Sequence, residues 1–419
     1  MKCKNIWNLF ITLFLDKKRR IVFIFLGAFL IRLGALVLLG DCPRGDAADY
    51  ENIALNIMSG KGFVSTRLGL YSYRPPLYPL FLAGIFSVFK TSSFMVGFIQ
   101  AIISSITCVI VYYIGESIFD EISGLISSII LALYPTLIFY STQQLSETLF
   151  IFILSLFIYV FFKESNNYGQ NYKWILLGIL LGLGSLCRPV IFPFLIFLIP
   201  FYVFGARGNL RKWILVSCFT LLTIFPWTVR NYYVHGKFVL LTTYGGANLW
   251  MGNYSGATGY IGDPGNIDEL VRQKGVSETE KDKAFYEKGI NFIIENPSEV
   301  LMLGLKKFVL YWNPLVEDYA GPSYIRNKNI NYRSIIAVSF SCLILFGIIG
   351  VFCISDLWKK RRLLLILLMY FSMVSMIFYV SLRYRQPIIP VLGLFAGKGI
   401  ECFFSLLNRK LSRLFRPRG

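Results

Sequence analysis

The chain has 419 residues, of which 55% are hydrophobic, 17% aromatic and only 16% charged. A water-soluble domain of this composition would have too little polar surface to cover its apolar core, so that class of protein is excluded. The formal net charge of +19 is compatible with nucleic-acid binding, but the apolar residues form blocks long enough to cross a bilayer. The distribution of the charge therefore favours a membrane protein, and no nucleic acid is expected as a partner.

Ten apolar segments are predicted to be transmembrane helices: about 21–40, 94–118, 121–140, 148–162, 174–187, 189–205, 213–230, 334–354, 363–381 and 386–406. Alternate connections between them are basic and include the runs Lys17-Lys18-Arg19-Arg20 and Lys359-Lys360-Arg361-Arg362. The positive-inside rule therefore places both termini in the cytoplasm. We expect an all-α, multi-pass protein of the plasma membrane with juxtamembrane helices and a small extracytoplasmic insertion.

Three parts are expected along the chain. Residues 1–230 form an N-terminal transmembrane catalytic module, which includes a first external loop over 41–93. Residues 231–333 form an extracytoplasmic region that contains an interfacial helix. Residues 334–419 contribute the C-terminal transmembrane helices and a basic cytoplasmic tail.

Four shorter helices are predicted outside the spans. Residues 49–59 carry apolar side chains at helical spacing, which indicates an amphipathic helix in the interface. Treating residues 77–89 as a full span would place Glu147 in the cytoplasm and remove the charge asymmetry of the connections, so they are interpreted as a re-entrant or juxtamembrane helix. In the extracytoplasmic region, a polar helix is predicted over 268–295 and an interfacial helix over 298–312.

The number and spacing of the cysteine and histidine residues do not predict a metal centre. The eight cysteines show no metal-ligand spacing, and the chain contains one histidine, His235, which is interpreted as a bystander. No cofactor and no metal are therefore expected. The alternative is one divalent ion, weakly shared by Asp46, Asp49 and a bound phosphate.

Acidic residues lie beside the predicted spans at two places. The first span is followed by Asp41, Asp46, Asp49 and Glu51. A carboxylate at the outer membrane surface could act as a general base, although such acids also cap and solvate loop helices. Glu147 lies in the polar break 141–148, where an acid is costly unless it has a partner; a helix N-terminus that favours an acid is the alternative. The predicted topology places Asp46 and Glu147 in the same compartment, as a candidate pair.

Arginines accumulate at the outer ends of the spans: Arg74, Arg188, Arg230, Arg383 and Arg385. The planar guanidinium group donates two parallel charge-assisted hydrogen bonds, which suits the phosphate of a lipid headgroup. Snorkelling to ordinary phospholipids is the alternative. Arg32 falls midway along the first span and is expected to face protein or a polar cavity.

Several short motifs occur in a fixed order along the chain. They are Gly45-Asp46-Ala47-Ala48-Asp49-Tyr50 with Gly60-Lys61-Gly62-Phe63, then Arg74-Pro75-Pro76-Leu77-Tyr78-Pro79, and the segments 145–150, 186–189, 226–231, 248–253 and 383–387. This ordered set resembles the membrane glycosyltransferases of the GT-C class, and within it the family of the protein O-mannosyltransferases and the lipid A aminoarabinose transferases. The resemblance implies a GT-C-like fold across nearly the whole chain.

The resemblance also implies roles for individual residues. The essential first-loop aspartate of the family, four residues before a tyrosine, matches Asp46 ahead of Tyr50. The second acidic position matches Glu147, and the basic residue that contacts the carrier phosphate matches Arg74. Ala47 stands where some relatives have a second acid, which speaks against a paired-acid metal site. No large C-terminal soluble domain follows the last span as it does in some relatives, so acceptor recognition is expected in 231–333.

The predicted reaction is inverting sugar transfer from a polyprenyl-phosphate carrier to a lipid, glycan or protein acceptor at the outer face of the membrane. Asp46 would be the general base, and Glu147 would orient the acceptor or stabilise positive charge on the sugar. The predicted substrate-binding residues are Asp49, Tyr50, Arg74, Arg188, Arg230, Arg383 and Arg385. Membrane lipids are further expected partners. Two alternatives stay open: a transporter or flippase of lipid-linked sugars, and a structural protein whose external region binds a partner.

Overall fold

The computed structural model describes residues 16–40, 45–163, 170–203, 210–273, 275–315, 332–353 and 357–414. Within these ranges the chain is helical apart from loops, 3-10 turns and two isolated bridges, between Ser65 and Leu70 and between Tyr260 and Val380. The α-helices are α1 (Lys17–Leu39), α2 (Asp46–Met58), α3 (Leu77–Phe89), α4 (Ser93–Ile118), α5 (Glu121–Leu133), α6 (Pro135–Thr142), α7 (Glu147–Phe162), α8 (Gln170–Cys187), α9 (Phe194–Val203), α10 (Leu210–His235), α11 (Gly245–Gly252), α12 (Ile267–Arg272), α13 (Glu278–Glu295), α14 (Pro297–Trp312), α15 (Tyr332–Phe352), α16 (Leu357–Ile377), α17 (Leu382–Arg385) and α18 (Ile389–Leu414).

Helices occur at all ten predicted spans, but they differ in length. In the described part of the chain, five helices are long and apolar enough to cross a membrane: α1, α4, α10, α15 and the continuous stretch Leu382–Leu407. Helices α5 and α6 together meet the same criterion as one span that is bent by 54°. The remaining predicted spans correspond to shorter apolar helices. The all-α, multi-pass architecture is therefore confirmed, whereas the number of ten crossings stays a prediction.

The bend between α5 and α6 is stabilised by Arg32. Pro135 has no N–H to give to the carbonyl of Leu131, four residues earlier. Arg32 donates to the carbonyl oxygens of Leu131 and Ala132, at 3.2 Å each, and to Ser104 Oγ at 2.7 Å. Its side chain is fully buried. The expectation that Arg32 faces protein is confirmed, and its role in the fold is to donate hydrogen bonds to carbonyl groups where the helix breaks. The Leu131 carbonyl also accepts the N–H of Tyr134 at 3.4 Å.

Replacing Arg32 with methionine is expected to lower the free energy of unfolding by about 3 kcal/mol, because buried carbonyl groups would lose their donors. Thermal unfolding in lipid nanodiscs measures the effect as a lowered melting temperature. Arg19→Met is the matched control, since Arg19 lies on the same helix with a side chain that is 60% exposed. Equal melting temperatures for the two variants would contradict this role of Arg32.

Helix α18 is fixed in the bundle by close contacts at glycines. A Cβ atom on Gly397 would lie 2.1 Å from Ser127 Oγ of α5, and one on Gly350 of α15 would lie 1.9 Å from the carbonyl oxygen of Phe395. Only glycine permits helices to approach this closely. Because α17 directly precedes α18, these contacts also fix the position of the arginines in α17.

Several termini meet at one end of the bundle. Helix α1 ends at Leu39, shortly before α2. The start of α7 and the end of α8 are neighbours in space. At the opposite end, Lys17 pairs with Glu116 and Lys398 pairs with Asp120, each at 2.8 Å. The end with α2 and α17 is the one predicted to face outward. Its orientation in the membrane stays a prediction.

The short helices follow the sequence predictions with two differences. Helix α2 starts at Asp46, three residues earlier than predicted, because Gly45 allows the backbone to turn directly into the helix (φ +55°). The single polar helix predicted over 268–295 is wrong, since the chain forms α12 and α13 instead. A capping box between Ser277 and Glu280 begins the second of these. Helices α3 and α14 are found as predicted.

A second apolar core lies outside the helical bundle. It joins the first external loop, the extracytoplasmic region and the connection between α16 and α17 through Leu70, Tyr73, Ala247, Met251, Ile267, Val271, Phe285 and Tyr379. The extracytoplasmic region is therefore packed onto the first loop. The domain limits themselves stay a prediction, and residues 316–331 of this region, like Asp41, lie outside the described ranges.

Candidate functional site

The two candidate catalytic acids each begin a helix. Asp46 is the first residue of α2 and Glu147 is the first residue of α7. Unpaired N–H groups and the helix dipole at an N-terminus favour a negative charge. Glu147 therefore lies at a helix N-terminus, as one of the two interpretations predicted. This position is compatible with a functional role.

Three arginines approach these acids from separate parts of the chain. Arg74 lies in the loop before α3, Arg188 follows α8, and Arg383 lies in α17. Pro189 ends α8 and leaves Arg188 extended. Cys187 Sγ donates to the carbonyl oxygen of Ser146 at 3.7 Å, which brings the end of α8 to the start of α7.

The acids and arginines alternate in a continuous series, here called the acid–arginine chain: Asp49, Arg74, Asp46, Arg383, Glu147 and Arg188. Arg74 Nη2 donates to Asp46 Oδ1 and, at 3.5 Å, to Asp49 Oδ2. Arg383 bridges the two candidate catalytic acids, because its Nη1 donates to Asp46 Oδ2 at 2.5 Å and its Nε donates to Glu147 Oε1. Arg188 Nη1 lies 3.1 Å from the same Glu147 oxygen. The structure thus brings together Asp46, Glu147 and three of the five predicted arginines.

Burial differs along the acid–arginine chain. The side chain of Glu147 is fully buried, whereas that of Asp46 is 34% exposed. In the described part of the chain, Glu147 Oε2, Arg74 Nε and Arg188 Nη1 are buried without a hydrogen-bond partner. Buried polar atoms without partners are rare in folded proteins and require an explanation, of which a bound ligand is one. Nε and Nη1 of Arg385, which lies outside the acid–arginine chain, are also without partners. Access to the site is therefore through Asp46, while Glu147 lies behind it.

The charges of the arginines determine the ionisation of Asp46. Partial burial would raise the pKa of Asp46, but the positive charges of Arg74 and Arg383 hold it well below its usual range. Asp49 differs, because burial raises its pKa despite the attraction of Arg74 and Arg67. Asp46 is therefore an ionised carboxylate at neutral pH as long as both arginines are in contact with it.

Aromatic rings cover the arginines. The Arg74 guanidinium lies 4.2 Å from the centroid of the Tyr73 ring and 5.2 Å from that of Tyr50. The Arg188 guanidinium lies 5.6 Å from the ring of Tyr384. Such rings attract cations and exclude water, which strengthens each ionic contact. Tyr50 thus contributes to the site through its ring, as a neighbour of Arg74.

Two predicted binding residues lie apart from the acid–arginine chain. Arg230 donates to the carbonyl oxygens of Tyr71 at 2.8 Å and Phe63 at 2.7 Å, so it holds the first loop against the end of α10. Arg385 is 1% exposed and donates to the carbonyl oxygen of Asn313 at 2.8 Å, just past the end of α14. Both positions indicate structural roles for these two arginines, and their role in substrate binding stays a prediction.

The loop that carries Arg74 is tied to the extracytoplasmic region. The Glu278 carboxylate accepts hydrogen bonds from the backbone N–H groups of Tyr71 at 2.7 Å and Ser72 at 2.9 Å. His235 Nε2 lies 2.7 Å from Ser72 Oγ. His235 is thus part of this attachment and touches none of the candidate catalytic acids.

A further set of polar and aromatic residues extends from the acid–arginine chain into the second apolar core. We call it the tyrosine wall, and it consists of Tyr73, Tyr244, Asn248, Tyr379 and Tyr384. The rings of Tyr73 and Tyr244 meet edge to face at 4.6 Å, and the rings of Tyr379 and Tyr384 lie 5.2 Å apart. The sequence alone predicted no role for these residues. The one available signal was that Asn248 and Tyr384 lie within the motifs 248–253 and 383–387.

Asn248 is positioned by an acid from α13. Asp282 Oδ1 accepts the backbone N–H of Gly246 at 2.8 Å and so caps α11, the helix that carries Asn248. Burial raises the pKa of Asp282 to about 6. The folded protein therefore holds a proton there that the unfolded chain releases near pH 4. The stability from this proton is complete below about pH 4 and is lost as the pH rises through about 6.

Asp282→Asn is expected to raise the melting temperature at pH 7.5, because it removes the cost of a buried charge, worth up to about 3 kcal/mol. At pH 4 the variant and the wild type should unfold at the same temperature. Glu287→Gln on the same helix is the control, since its side chain is 61% exposed. A stabilisation by Asp282→Asn that is equal at both pH values would contradict a buried, ionised Asp282.

Comparison with known proteins gives the class of this fold. A family profile described as dolichyl-phosphate-mannose-protein mannosyltransferase matches residues 73–229. The archaeal oligosaccharyltransferase AglB from Archaeoglobus fulgidus, solved in complex with an inhibitory peptide and a dolichol-phosphate, is similar with a TM-score of 0.55 and 16% sequence identity. That similarity covers 96% of this chain and 53% of AglB, and the apo form gives the same values. This chain thus spans about half the length of the archaeal enzyme.

A second solved structure, ArnT from Cupriavidus metallidurans bound to undecaprenyl phosphate, has a TM-score of 0.46 and 10% identity over 92% of this chain and 78% of ArnT. This value is too low to add to the assignment. No curated protein matches the sequence. The fold is that of the GT-C class of membrane glycosyltransferases, and the resemblance predicted from the sequence motifs is confirmed.

Proposed function

We propose that this protein is a glycosyltransferase that moves a sugar from a polyprenyl-phosphate carrier to an acceptor at the outer face of the plasma membrane, with both termini in the cytoplasm. The observation that carries the proposal is the acid–arginine chain at one end of a GT-C fold. The matched family profile covers Arg74, Glu147 and Arg188. The complex of AglB with a dolichol-phosphate supports a lipid-phosphate carrier.

The arginines suit the leaving group of this reaction. The bond that breaks joins the anomeric carbon to a phosphate oxygen, and negative charge accumulates on that phosphate. Guanidinium groups held beside it stabilise the charge in the transition state. In the described part of the chain, Arg188 Nη1 lies 3.1 Å from Glu147 Oε1 but forms no hydrogen bond, so this group can donate to a phosphate oxygen. We therefore assign Arg188, Arg74 and Arg383 to the phosphate.

The base is Asp46, and carrier binding is what activates it. Without the carrier, Arg74 and Arg383 both contact Asp46 and make its carboxylate a weak base. A phosphate that enters between these arginines competes for the same N–H groups. Asp46 then loses part of its ionic contact, its pKa rises, and it takes the proton of the acceptor hydroxyl or amine as that group attacks. Carrier binding thus precedes activation of the acceptor.

The charges of this step balance. The acid–arginine chain holds three carboxylates and three guanidinium groups, and Arg67 adds a fourth guanidinium group 3.6 Å from Asp49 Oδ1. The carrier phosphodiester adds one negative charge. During transfer the polyprenyl phosphate gains one negative charge, while Asp46 becomes neutral by accepting the proton. The net charge within the site is unchanged. A single displacement of this kind inverts the anomeric centre.

Glu147 acts behind this centre. It is buried and bound to two arginines, so its charge fixes Arg383 and Arg188 and stabilises positive charge on the sugar ring. No metal ion is needed in this scheme, because the guanidinium groups already supply the positive charge. Among the described residues, no three His, Cys, Asp or Glu side chains are arranged to hold a metal ion. One divalent ion shared by Asp46, Asp49 and the phosphate stays the alternative. Lipid, glycan and protein acceptors all fit the proposal.

The test uses purified protein in lipid nanodiscs with a panel of radiolabelled polyprenyl-phosphate sugars. Release of polyprenyl phosphate from one of these donors, with the label transferred to an acceptor or to water, is the expected result. A flippase would instead move the intact labelled headgroup between the leaflets of vesicles. Headgroup movement without release of polyprenyl phosphate would overturn the proposal.

A further inference from the structure

The position of the tyrosine wall relative to the arginines raises the question of what it binds. Tyr73 directly precedes Arg74, and Tyr384 directly follows Arg383. Any group attached to a phosphate at these arginines by a single oxygen must lie within a few ångströms of them. The wall belongs to the second apolar core, outside the bundle, whereas the lipid tail of a carrier must extend between the membrane helices. The second substituent of the carrier phosphate, which is the sugar, therefore points to the tyrosine wall.

We propose that the tyrosine wall binds the sugar ring of the donor, an inference that rests on the proposed function. A pyranose has an apolar C–H face and a polar rim of hydroxyl groups. Tyrosine combines an apolar ring with a polar tip in the same way. Ligand pockets generally join such aromatic surfaces with a few fixed polar groups. The rings of Tyr244 and Tyr384 are partly exposed, which leaves surface for a sugar.

The hydrogen bonds within the wall leave defined groups for the sugar hydroxyls. Tyr379 OH lies 3.2 Å from Asn248 Oδ1 and 2.8 Å from Tyr384 OH. One hydroxyl group donates once. Since Asn248 Oδ1 can only accept, Tyr379 donates to Asn248 and accepts from Tyr384. In the described part of the chain, the amide nitrogen of Asn248 donates to no protein group. It is therefore the donor for a sugar hydroxyl, and the lone pairs of Tyr384 are the acceptor.

The experiment compares binding of the carrier with and without its sugar. The donor is the one from which the wild type releases polyprenyl phosphate, and the probe without a sugar is undecaprenyl phosphate. Asn248→Ala and Tyr244→Ala are each expected to raise the KM for the donor about tenfold. The Kd for undecaprenyl phosphate should stay within about twofold of the wild-type value. Tyr244→Phe, which keeps the ring, should retain most of the donor affinity.

Tyr233→Ala is the matched control, because Tyr233 is 83% exposed at the end of α10 and lies apart from the wall. Thermal unfolding of each variant excludes a general loss of structure. Equal weakening of donor and undecaprenyl phosphate would overturn the proposal, because the variants would then act through the phosphate site. An unchanged donor KM would overturn it as well. Absence of release from every donor by the wild type would instead contradict the proposed function.

Discussion

Asp46→Asn is expected to lower kcat for sugar transfer by roughly 10²- to 10⁴-fold, the range measured for the loss of a general base. Asparagine keeps the shape of the side chain but cannot take the acceptor proton. The affinity for undecaprenyl phosphate should be unchanged or higher, because Arg74 and Arg383 lose a carboxylate that competes with the phosphate. Steady-state kinetics together with lipid binding separate these two effects. Loss of kcat with intact carrier binding identifies a base rather than a phosphate ligand.

The matched control for this variant is Glu51→Gln. Glu51 lies on the same helix as Asp46 and, in the described ranges, forms no ion pair. It should retain activity within about twofold of the wild type, as is usual for substitutions that leave a site intact. Near-normal kcat in Asp46→Asn would exclude Asp46 as the base. A higher KM for the donor without loss of kcat would instead assign Asp46 to substrate binding.

Arg383→Lys is expected to lower kcat/KM about 100-fold, because lysine cannot replace a guanidinium group that contacts Asp46 and Glu147 at once. The loss corresponds to about 2.7 kcal/mol of transition-state stabilisation. The fully buried Glu147 would also lose one of its two partners, so the melting temperature should fall. Activity and thermal unfolding of the same nanodisc samples measure both effects.

The informative comparison is Arg385→Lys, since the two arginines lie two residues apart in one motif. The side chain of Arg385 reaches the end of α14, where it donates a hydrogen bond to the carbonyl oxygen of Asn313. Its guanidinium group lies 4.0 Å from the centroid of the Phe340 ring. Arg385→Lys should therefore reduce stability but lower kcat/KM less than about fivefold. Similar losses of kcat/KM in both variants would show that Arg385 binds substrate, as its position among the arginines at the outer span ends predicts.

The sequence predicted much of the fold because a bilayer restricts it strongly. Apolar length and basic connections are sufficient to place helices at the predicted spans. The bend at Pro135 was not predicted, because two short helices and one straight span have the same hydropathy. The bend is stabilised by the hydrogen bond from Arg32 to the carbonyl oxygen of Leu131. These residues are 99 positions apart, so a local sequence pattern cannot predict the contact.

The candidate site was predicted in part. Motif order selected Asp46, Glu147 and the arginines, and the structure brings most of them together. The sequence could not distinguish Arg383 from Arg385. Both lie in one helical turn, and only the structure shows that their side chains have different partners. The tyrosine wall had no recognisable spacing, since its members come from three distant segments that are joined by packing and by the hydrogen bond between Tyr379 and Asn248.

The order in which the acid–arginine chain is synthesised has a consequence for biogenesis. Each candidate catalytic acid has one arginine partner nearby in sequence, Arg74 for Asp46 and Arg188 for Glu147. Both acids also contact Arg383, which is synthesised much later. Glu147 and Arg383 are 236 residues apart, so at about 5–20 residues per second the ribosome needs on the order of ten to fifty seconds to pass from one to the other. The early arginine neutralises each acid while the helices insert. A competent site, however, exists only after the last helices have been integrated, so a nascent chain cannot act on lipid carriers before its insertion is finished.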